Sequence, residues 1–449
     1  MRAIPVRLLA ALFLLKSVGA AAMGLLQAYE LALQNDPTYL SALHENEAGQ
    51  QNLAMGRSRL LPNLSLDYQQ NRNLLNINST TGINTASQQM TYLGQVTTLS
   101  MRQPLFNLAD YAAYRQGEAQ ANYSSAQFSD HSQDLVLRVV QAYTDALYAG
   151  DQLSLVEAQL SAYQEQMHAN EIRYRKGDGT ITDLLETRSK YAQVQAQLIE
   201  AQNQVEAQKR TLSGIVGKEV ASLSPLADKF TPLPLKPAEF RDWQTIALAH
   251  NADISSKRYA VEASHREVQK DKAGHLPQLD LVASVSKNNQ GSIYTFNQDM
   301  YVRSIGVEMN MPIYAGGYVT ALSRQAAANF ERAQSDLAEA SNKVMVDLFK
   351  QYGLVLSSTS RIGALEKAVD AASLLVKATR KSIKGGERVN LDLLDAQAQY
   401  YEARRDLARA RYDYLNSFLR LNYDAGILGP DTVRMVAGHF VSDLAAPSP

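Results

Sequence analysis

Four stretches of the chain alternate apolar and polar residues with a period of two. In the first, Leu64, Leu66 and Tyr68 share one face, and Ser65, Asp67 and Gln69 share the other. The second sets Thr97, Leu99 and Met101 against Thr98, Ser100 and Arg102. The third sets Leu279, Leu281, Ala283 and Val285 against Asp280, Val282, Ser284 and Ser286, and the fourth Ile305, Val307, Met309 and Met311 against Gly306, Glu308 and Asn310. This pattern predicts strands at about 62–78, 90–104, 277–289 and 301–312. Pro62, Pro104, Pro277 and Pro312 stand at their outer ends, and polar loops from Asn76 and from Asn288 join each pair. A tilted strand of about 9–11 residues crosses a bilayer, whereas closing a barrel takes about eight strands. Four strands therefore form either a half-buried sheet in a soluble domain or one subunit's share of a barrel.

Elsewhere the pattern is helical. Residues 23–60 read as helix broken at Asp36-Pro37, and very long helices are expected over about 107–176 and 319–384. At 1.5 Å per residue, some 70 helical residues extend roughly 100 Å. Each long helix leads into a glycine turn, Gly177 and Gly179 in one case and Gly385 and Gly386 in the other. Return helices follow, over about 183–215 and 391–421. The seams are rich in Ala and poor in Leu and Ile, as in "ALEKAVDAASLLVKATRKS" from Ala364, which permits close helix packing. The whole succession occurs twice. "GDGTITDLLETRSKY" from Gly177 answers "GGERVNLDLLDAQAQY" from Gly385 at an offset of 208, as Pro104 answers Pro312, and Pro62 answers Pro277 at 215. The expected organisation is a signal segment at 1–22, a first repeat at 23–215, a proline-rich connector at 216–242, a second repeat at 243–425 and a tail at 426–449. A repeat this long suggests pseudo-symmetry within a ring-forming subunit, not a solenoid.

Composition narrows the classes. The chain has 449 residues, no cysteine and a formal charge of −1. Disulfides, cysteine-ligated metals and lipid attachment through an N-terminal cysteine are excluded. Arg2 and Arg7, the apolar run Leu8–Leu15 and the small residues Ala20–Ala22 read as a secretory signal. Without Arg2, Arg7 and Lys16 the charge becomes −4, and no basic cluster recommends nucleic acid as a partner. No later apolar run reaches 18 residues, so any membrane-spanning part must be a closed barrel. The seven histidines are scattered, and no catalytic, cofactor or metal motif is present. A non-enzymatic role is expected.

One constellation carries charge at a meaningful place. Arg388, Asp392 and Asp395 fall in the first turns of the second return helix, with both carboxylates on one face. Thr182 and Asp183 sit at the corresponding place in the first repeat. Acidic residues at a helix start are favoured by the macrodipole alone. In a ring of subunits, however, identical turns would also converge into rings of carboxylates, as in cation-selective constrictions.

With these elements placed, the chain resembles the TolC family of outer-membrane channel proteins over essentially its whole mature length. The strand-bounding prolines, "TITDLLETRSKY" and the segment "RVNLDLLDAQAQYYEARRDLARARYDYLNSFLRLNYDAGIL" from Arg388 carry the resemblance. It implies a mixed α and β membrane protein: a homotrimer whose four strands per subunit make a twelve-stranded outer-membrane barrel, continued by a periplasmic α-helical barrel. It implies a periplasmic adaptor (a membrane fusion protein), an inner-membrane ABC transporter, or alternatively an RND pump, and outer-membrane lipid as partners. It also makes Asp392 and Asp395 the entrance carboxylate rings, and Arg388 a gate residue linked to Thr182 and Asp183 of a neighbouring hairpin. The family prototype carries a tyrosine shortly before the second turn; Ser382 stands there instead. Lacking a lipid-attachment cysteine, the chain looks closer to the type I protein secretion branch than to drug or metal efflux. An exported coiled-coil structural or adaptor protein is the reading from a different class.

Overall fold

The computed structural model describes residues 22–81, 84–227, 229–290, 298–385 and 387–441. The expected signal segment apart from Ala22, the segment 291–297, Gly386 and the last eight residues lie outside the described residues. In chain order the elements are α1 (Leu25–Asn35), α2 (Pro37–Ser58), β1 (Asn63–Thr81), β2 (Asn84–Phe106), α3 (Leu108–Lys176) and α4 (Ile181–Val216). Then come α5 (Phe240–His250), α6 (Ala252–Lys272), a 3-10 turn (Ala273–His275), β3 (Gln278–Gln290), β4 (Gln298–Asn310), α7 (Tyr318–Lys384), α8 (Asn390–Asp424) and α9 (Pro430–Ala437). No helix among the described residues is long and apolar enough to cross a membrane.

The chain divides into two compact units. Residues 41–132 and 243–347 form the unit that holds the sheet. Its strands run in the order β1-β2-β3-β4, all neighbours antiparallel. The register places Leu64, Met101, Ala283 and Ile305 in one row of one face, with Leu66, Leu99 and Val285 in the next. This apolar face is bare: Leu66 is 69% and Ile305 77% exposed. From Leu279 to Val285 it spans about 20 Å along the strand, close to the ~25 Å apolar band of a membrane barrel. The opposite face is a polar ladder. Hydroxyls pair across strands at Ser65–Ser100 (2.7 Å), Thr98–Ser286 (3.1 Å) and Ser284–Ser304 (2.8 Å). The Arg102 guanidinium donates to Asp280 (2.6 Å) and Glu308 (2.9 Å).

The first hairpin reaches further than alternation predicts. Residues 79–81 and 84–89, beyond the expected strand ends, continue the ladder from Asn76↔Gln89 to Thr81↔Asn84. Backbone pairing needs no buried face, so polar residues on both sides can extend a hairpin into water without any period-two signal. Below the sheet, α2 packs against α3 where Gly117, expected only as an interruption, meets the backbone. A Cβ there would lie 2.4 Å from the carbonyl oxygen of Asn52.

The other unit (residues 22–40, 133–242 and 348–441 of those described) contains the distal parts of α3 and α7 with α1, α4, α8 and α9. Buried Ala142, Ala146 and Ala149 on α3 give the small-residue surface that the sequence suggests. Asp36 caps α2, accepting the Tyr39 N–H at 2.7 Å, and takes the Arg138 guanidinium at 2.9 and 3.0 Å. Burial pushes the Asp36 carboxyl up, but Arg138 and the cap outweigh it and hold it below its ordinary value. The connector after α4 is pinned in the same unit. Tyr143 is fully buried, donates its hydroxyl to the carbonyls of Met23 (2.9 Å) and Ser224 (3.1 Å), and packs edge-on to Phe440.

Candidate functional site at the helical hairpin turns

Both long helices end in turns whose backbone bonds satisfy their last carbonyls. After α3, Gly177 adopts φ +79, its N–H reaches the Tyr174 carbonyl (3.0 Å), and the Asp178 N–H reaches that of Arg173 (2.9 Å). These two bonds satisfy helix-end carbonyls through a left-handed residue, which favours glycine. After α7, the Glu387 N–H bonds the Ser382 carbonyl at 3.0 Å, the equivalent long bond. Four residues (177–180) separate α3 from α4, and five (385–389) separate α7 from α8.

The return helices restart on matched backbones. Thr180 (φ −92, ψ 154) and Val389 (φ −98, ψ 165) are the N-caps, so Asp183 and Asp392 are each the third helical residue. The Thr180 hydroxyl accepts the Asp183 N–H at 3.1 Å. The Asp183 carboxylate in turn accepts the Thr180 hydroxyl (2.8 Å) and N–H (3.3 Å), a closed capping box. Among the described residues Asp392 accepts only the Val389 N–H, at 3.3 Å. Asp395, one turn on, is exposed and accepts no hydrogen bond among the described residues. Glu186 is its counterpart in the first repeat, a carboxylate that the sequence reading passed over.

Thr182 lies exposed in the first turn of α4, and Arg388 is exposed with no ion pair or hydrogen bond among the described residues. Arg388 is not in the return helix as expected. It belongs to the turn, one residue before the N-cap, because the extra residue of this turn delays the helix start to Asn390. Its guanidinium is thus carried on non-helical backbone. Within one chain the structure brings neither Thr182 nor Asp183 to Arg388. Ser382 lies in the last turn of α7 and contributes its carbonyl to the turn.

A second feature of the tips was missed. Gln166 and Asn170 of α3, Thr187 of α4 and Asn390 of α8 form a polar cluster, in which Asn170, Thr187 and Asn390 are 3%, 0% and 7% exposed. Asn390 Oδ1 accepts from Gln166 Nε2 (2.7 Å) and Asn170 Nδ2 (3.0 Å), while its own amide donates to Thr187 Oγ1 (3.0 Å). The Thr187 hydroxyl donates to the Asp183 carbonyl at 2.8 Å. Just beyond, Tyr163, Val194 and Leu394 close a small apolar core among the same three helices. Among the described residues the two hairpins are therefore joined near their tips by a buried amide network. No group of side chains suited to a metal ion occurs among the described residues.

An open sheet with one bare apolar face, joined to helical hairpins that end in charged turns, is the architecture of an outer-membrane channel subunit. The chain belongs to the outer membrane efflux protein family, which matches residues 28–218 and 243–426, one stretch in each repeat. It is 41% identical to alkaline protease secretion protein AprF of Pseudomonas aeruginosa, over 98% of this chain and 92% of that one. It is 37% identical to proteases secretion protein PrtF of Dickeya chrysanthemi, over 97% and 95%. Among solved structures, the outer membrane protein VceC of Vibrio cholerae superposes with a TM-score of 0.76 at 19% identity, covering 90% of this chain and 96% of that one. The resemblance to TolC-like channels and the outer-membrane location follow.

Proposed function

We propose that this chain is the outer-membrane conduit of a type I protein secretion system, with an exported protease or lipase as cargo. The observation that carries the reading is similarity along nearly the whole chain to two proteins named for protease secretion, at 41% and 37% identity. Three subunits would supply twelve strands, pairing the free edges of β1 and β4 that a single chain leaves open, since an unpaired edge is unstable in lipid. The helical hairpins then project into the periplasm, where an adaptor and an inner-membrane ABC transporter engage them. The conduit is passive. Its chemistry is confined to the turns, where Asp392 and Asp395 of three subunits crowd six carboxylates around one aperture and set a negative potential. Arg388, unpaired among the described residues of its own chain and held on a non-helical turn, reaches the Thr182–Asp183 turn of a neighbouring subunit and holds the aperture closed.

The cargo is tested in a host lacking its own outer-membrane channel, supplied with this chain, a type I transporter, its adaptor and a protease substrate. Protease should appear in the medium, and resistance to small toxic compounds should be unchanged. Restored resistance without secretion would favour the efflux reading instead. In planar bilayers, Arg388→Ser should raise conductance. The pair Asp392→Ala and Asp395→Ala should lower cation selectivity, measured as a reversal potential, without loss of the trimer. Unaltered conductance and selectivity would remove these residues from the entrance.

A further inference from the structure

The bare face of the sheet is apolar at the ends nearest the helices but not at the far ends. Two aromatic rings, Tyr68 of β1 and Tyr301 of β4, stand in one cross-strand row, 62% and 64% exposed, as an interfacial girdle would. Three cations share that face around this edge: Arg303 one row inside it, Lys287 within it and Arg72 beyond it. Lys287 of β3 is directly opposite Tyr301, its Nζ 5.4 Å from the ring centre. Arg303 of β4 pairs with Val285 and so lies diagonal to Lys287 on the same face. Arg72 of β1 pairs with Leu93 two rows further out. Asp299, opposite Asn289, is the one carboxylate of this face among the described residues and leaves the patch at net +2. The other face, with Asp67, Arg102, Asp280 and Glu308, is net −2.

We infer that Lys287, Arg303 and Arg72 form a binding belt for the phosphate groups of phosphorylated lipid headgroups in the outer leaflet. The inference rests on the orientation proposed above, with the helices in the periplasm and the strand hairpins outward. A cation on the lipid-facing side of a barrel is costly at mid-bilayer and nearly free at the interface, so three together at one rim and none at the other is a directed placement. Lys287 and Arg303 sit at diagonal spacing, about 7 Å, close enough to hold one phosphate between an ammonium and a guanidinium. Arg72 is about 16 Å away by strand geometry, far enough to take a second phosphate. The tyrosine rings supply the flat amphipathic surface on which the sugar or glycerol part would lie.

The test uses the purified trimer in neutral detergent, titrated with bisphosphorylated lipid A and, separately, with the same lipid after dephosphorylation, bound lipids being counted by native mass spectrometry. The wild-type protein should retain the phosphorylated lipid more tightly, and Lys287→Gln with Arg303→Gln should erase the difference, by about fivefold for each cation removed. Arg72→Gln should cost a further step of similar size. Lys287→Arg with Arg303→Lys keeps the charge and should keep the preference. Equal retention of both lipids by the wild-type protein would overturn the inference, and that comparison needs no variant to fold. Failure of the membrane reading would look different: the protein would bind neither lipid and stay dispersed without detergent.

Discussion

The two hairpin turns began as copies, and they now hold their acidic residues in different ways. At the first, Thr180 and Asp183 close a capping box on each other, and the carboxylate is committed to its own helix start. At the second, the backbone of Val389 lies within about a dozen degrees of that of Thr180, yet valine offers no acceptor, and Asp392 is held by a single N–H. The second turn also has one more residue, which carries Arg388 outside the helix. Duplication thus produced one turn whose charge maintains structure and one whose charges stay available. A carboxylate at a helix start can do either task, and the cap residue three positions earlier decides which.

The largest effect should come from the network that binds the two copies together. Asn390 occupies the position that Ile181 holds in the first repeat. Its removal breaks the bonds it makes with half-buried Gln166 and buried Asn170 and Thr187, at about 1 kcal/mol each, although Gln166 and Asn170 keep second acceptors in Asn170 Oδ1 (3.3 Å) and Thr187 Oγ1 (2.9 Å). Asn390→Ala should therefore loosen the tips by some ~2–3 kcal/mol, read as lost hydrogen-exchange protection in residues 183–187 and 390–394. Asn390→Ile distinguishes hydrogen bonding from packing. It restores the volume, and indeed the residue of the other copy, but should protect no better than alanine. Full protection in the isoleucine variant would mean that the cluster is only a packing contact.

That network explains what the sequence shows and what it hides. Alternation at Leu64–Gln69 and Leu279–Ser286 marks the strands because burial on one face only leaves a period of two. The glycine at 177 marks its turn because a helix end favours a left-handed residue, a conformation that Gly177 adopts and Gly385 does not. Polar residues on long helices are read as solvated, so Gln166, Asn170 and Thr187 drew no notice. A signal was nevertheless present in the repeat. Aligned by the turns, these three face Leu374, Ala378 and Ala396 in the second copy, and Asn390 faces Ile181. Positions where one copy is polar and the other apolar or small are where pseudo-symmetry was broken, and here four of them meet in space. The sequence reads Arg388 two ways, inside the helix by its grouping with Asp392 and outside it by the range 391–421, because one extra residue in a turn shifts a helix start without altering any motif. The outer half of the first strand hairpin was not legible, because its pairing involves no buried face.

A smaller effect is expected from making the first turn like the second. Thr180→Val removes the hydroxyl that accepts the Asp183 N–H and donates to its carboxylate, a cap loss of about 1 kcal/mol. Protection at the amides of Thr182 and Asp183 should fall severalfold, with no change at the second turn. If the two turns fell together, they would be coupled through the buried network and could not be compared as separate units.

The smallest effect has the opposite sign. Val389→Thr should stabilise, because every other part of the capping box is already in place. The backbone at 389 is extended as at Thr180, the third helical residue is already an aspartate, and that aspartate already accepts the N–H of residue 389. Valine and threonine have nearly the same shape, and Val389 is 62% exposed, so the exchange sacrifices little packing. The new hydroxyl would accept the Asp392 N–H and donate to its carboxylate, gaining about 0.5–1 kcal/mol at the helix start. Hydrogen exchange at the Asp392 amide should slow by about two- to fivefold. The same variant carries the functional half of the comparison. With its carboxylate drawn into the cap as at Asp183, Asp392 should contribute less to the aperture, and cation selectivity should weaken while Asp395 remains unchanged. Slower exchange with undiminished selectivity would show that a capped aspartate serves the aperture as well as a free one, and the supposed division of labour between the turns would fail.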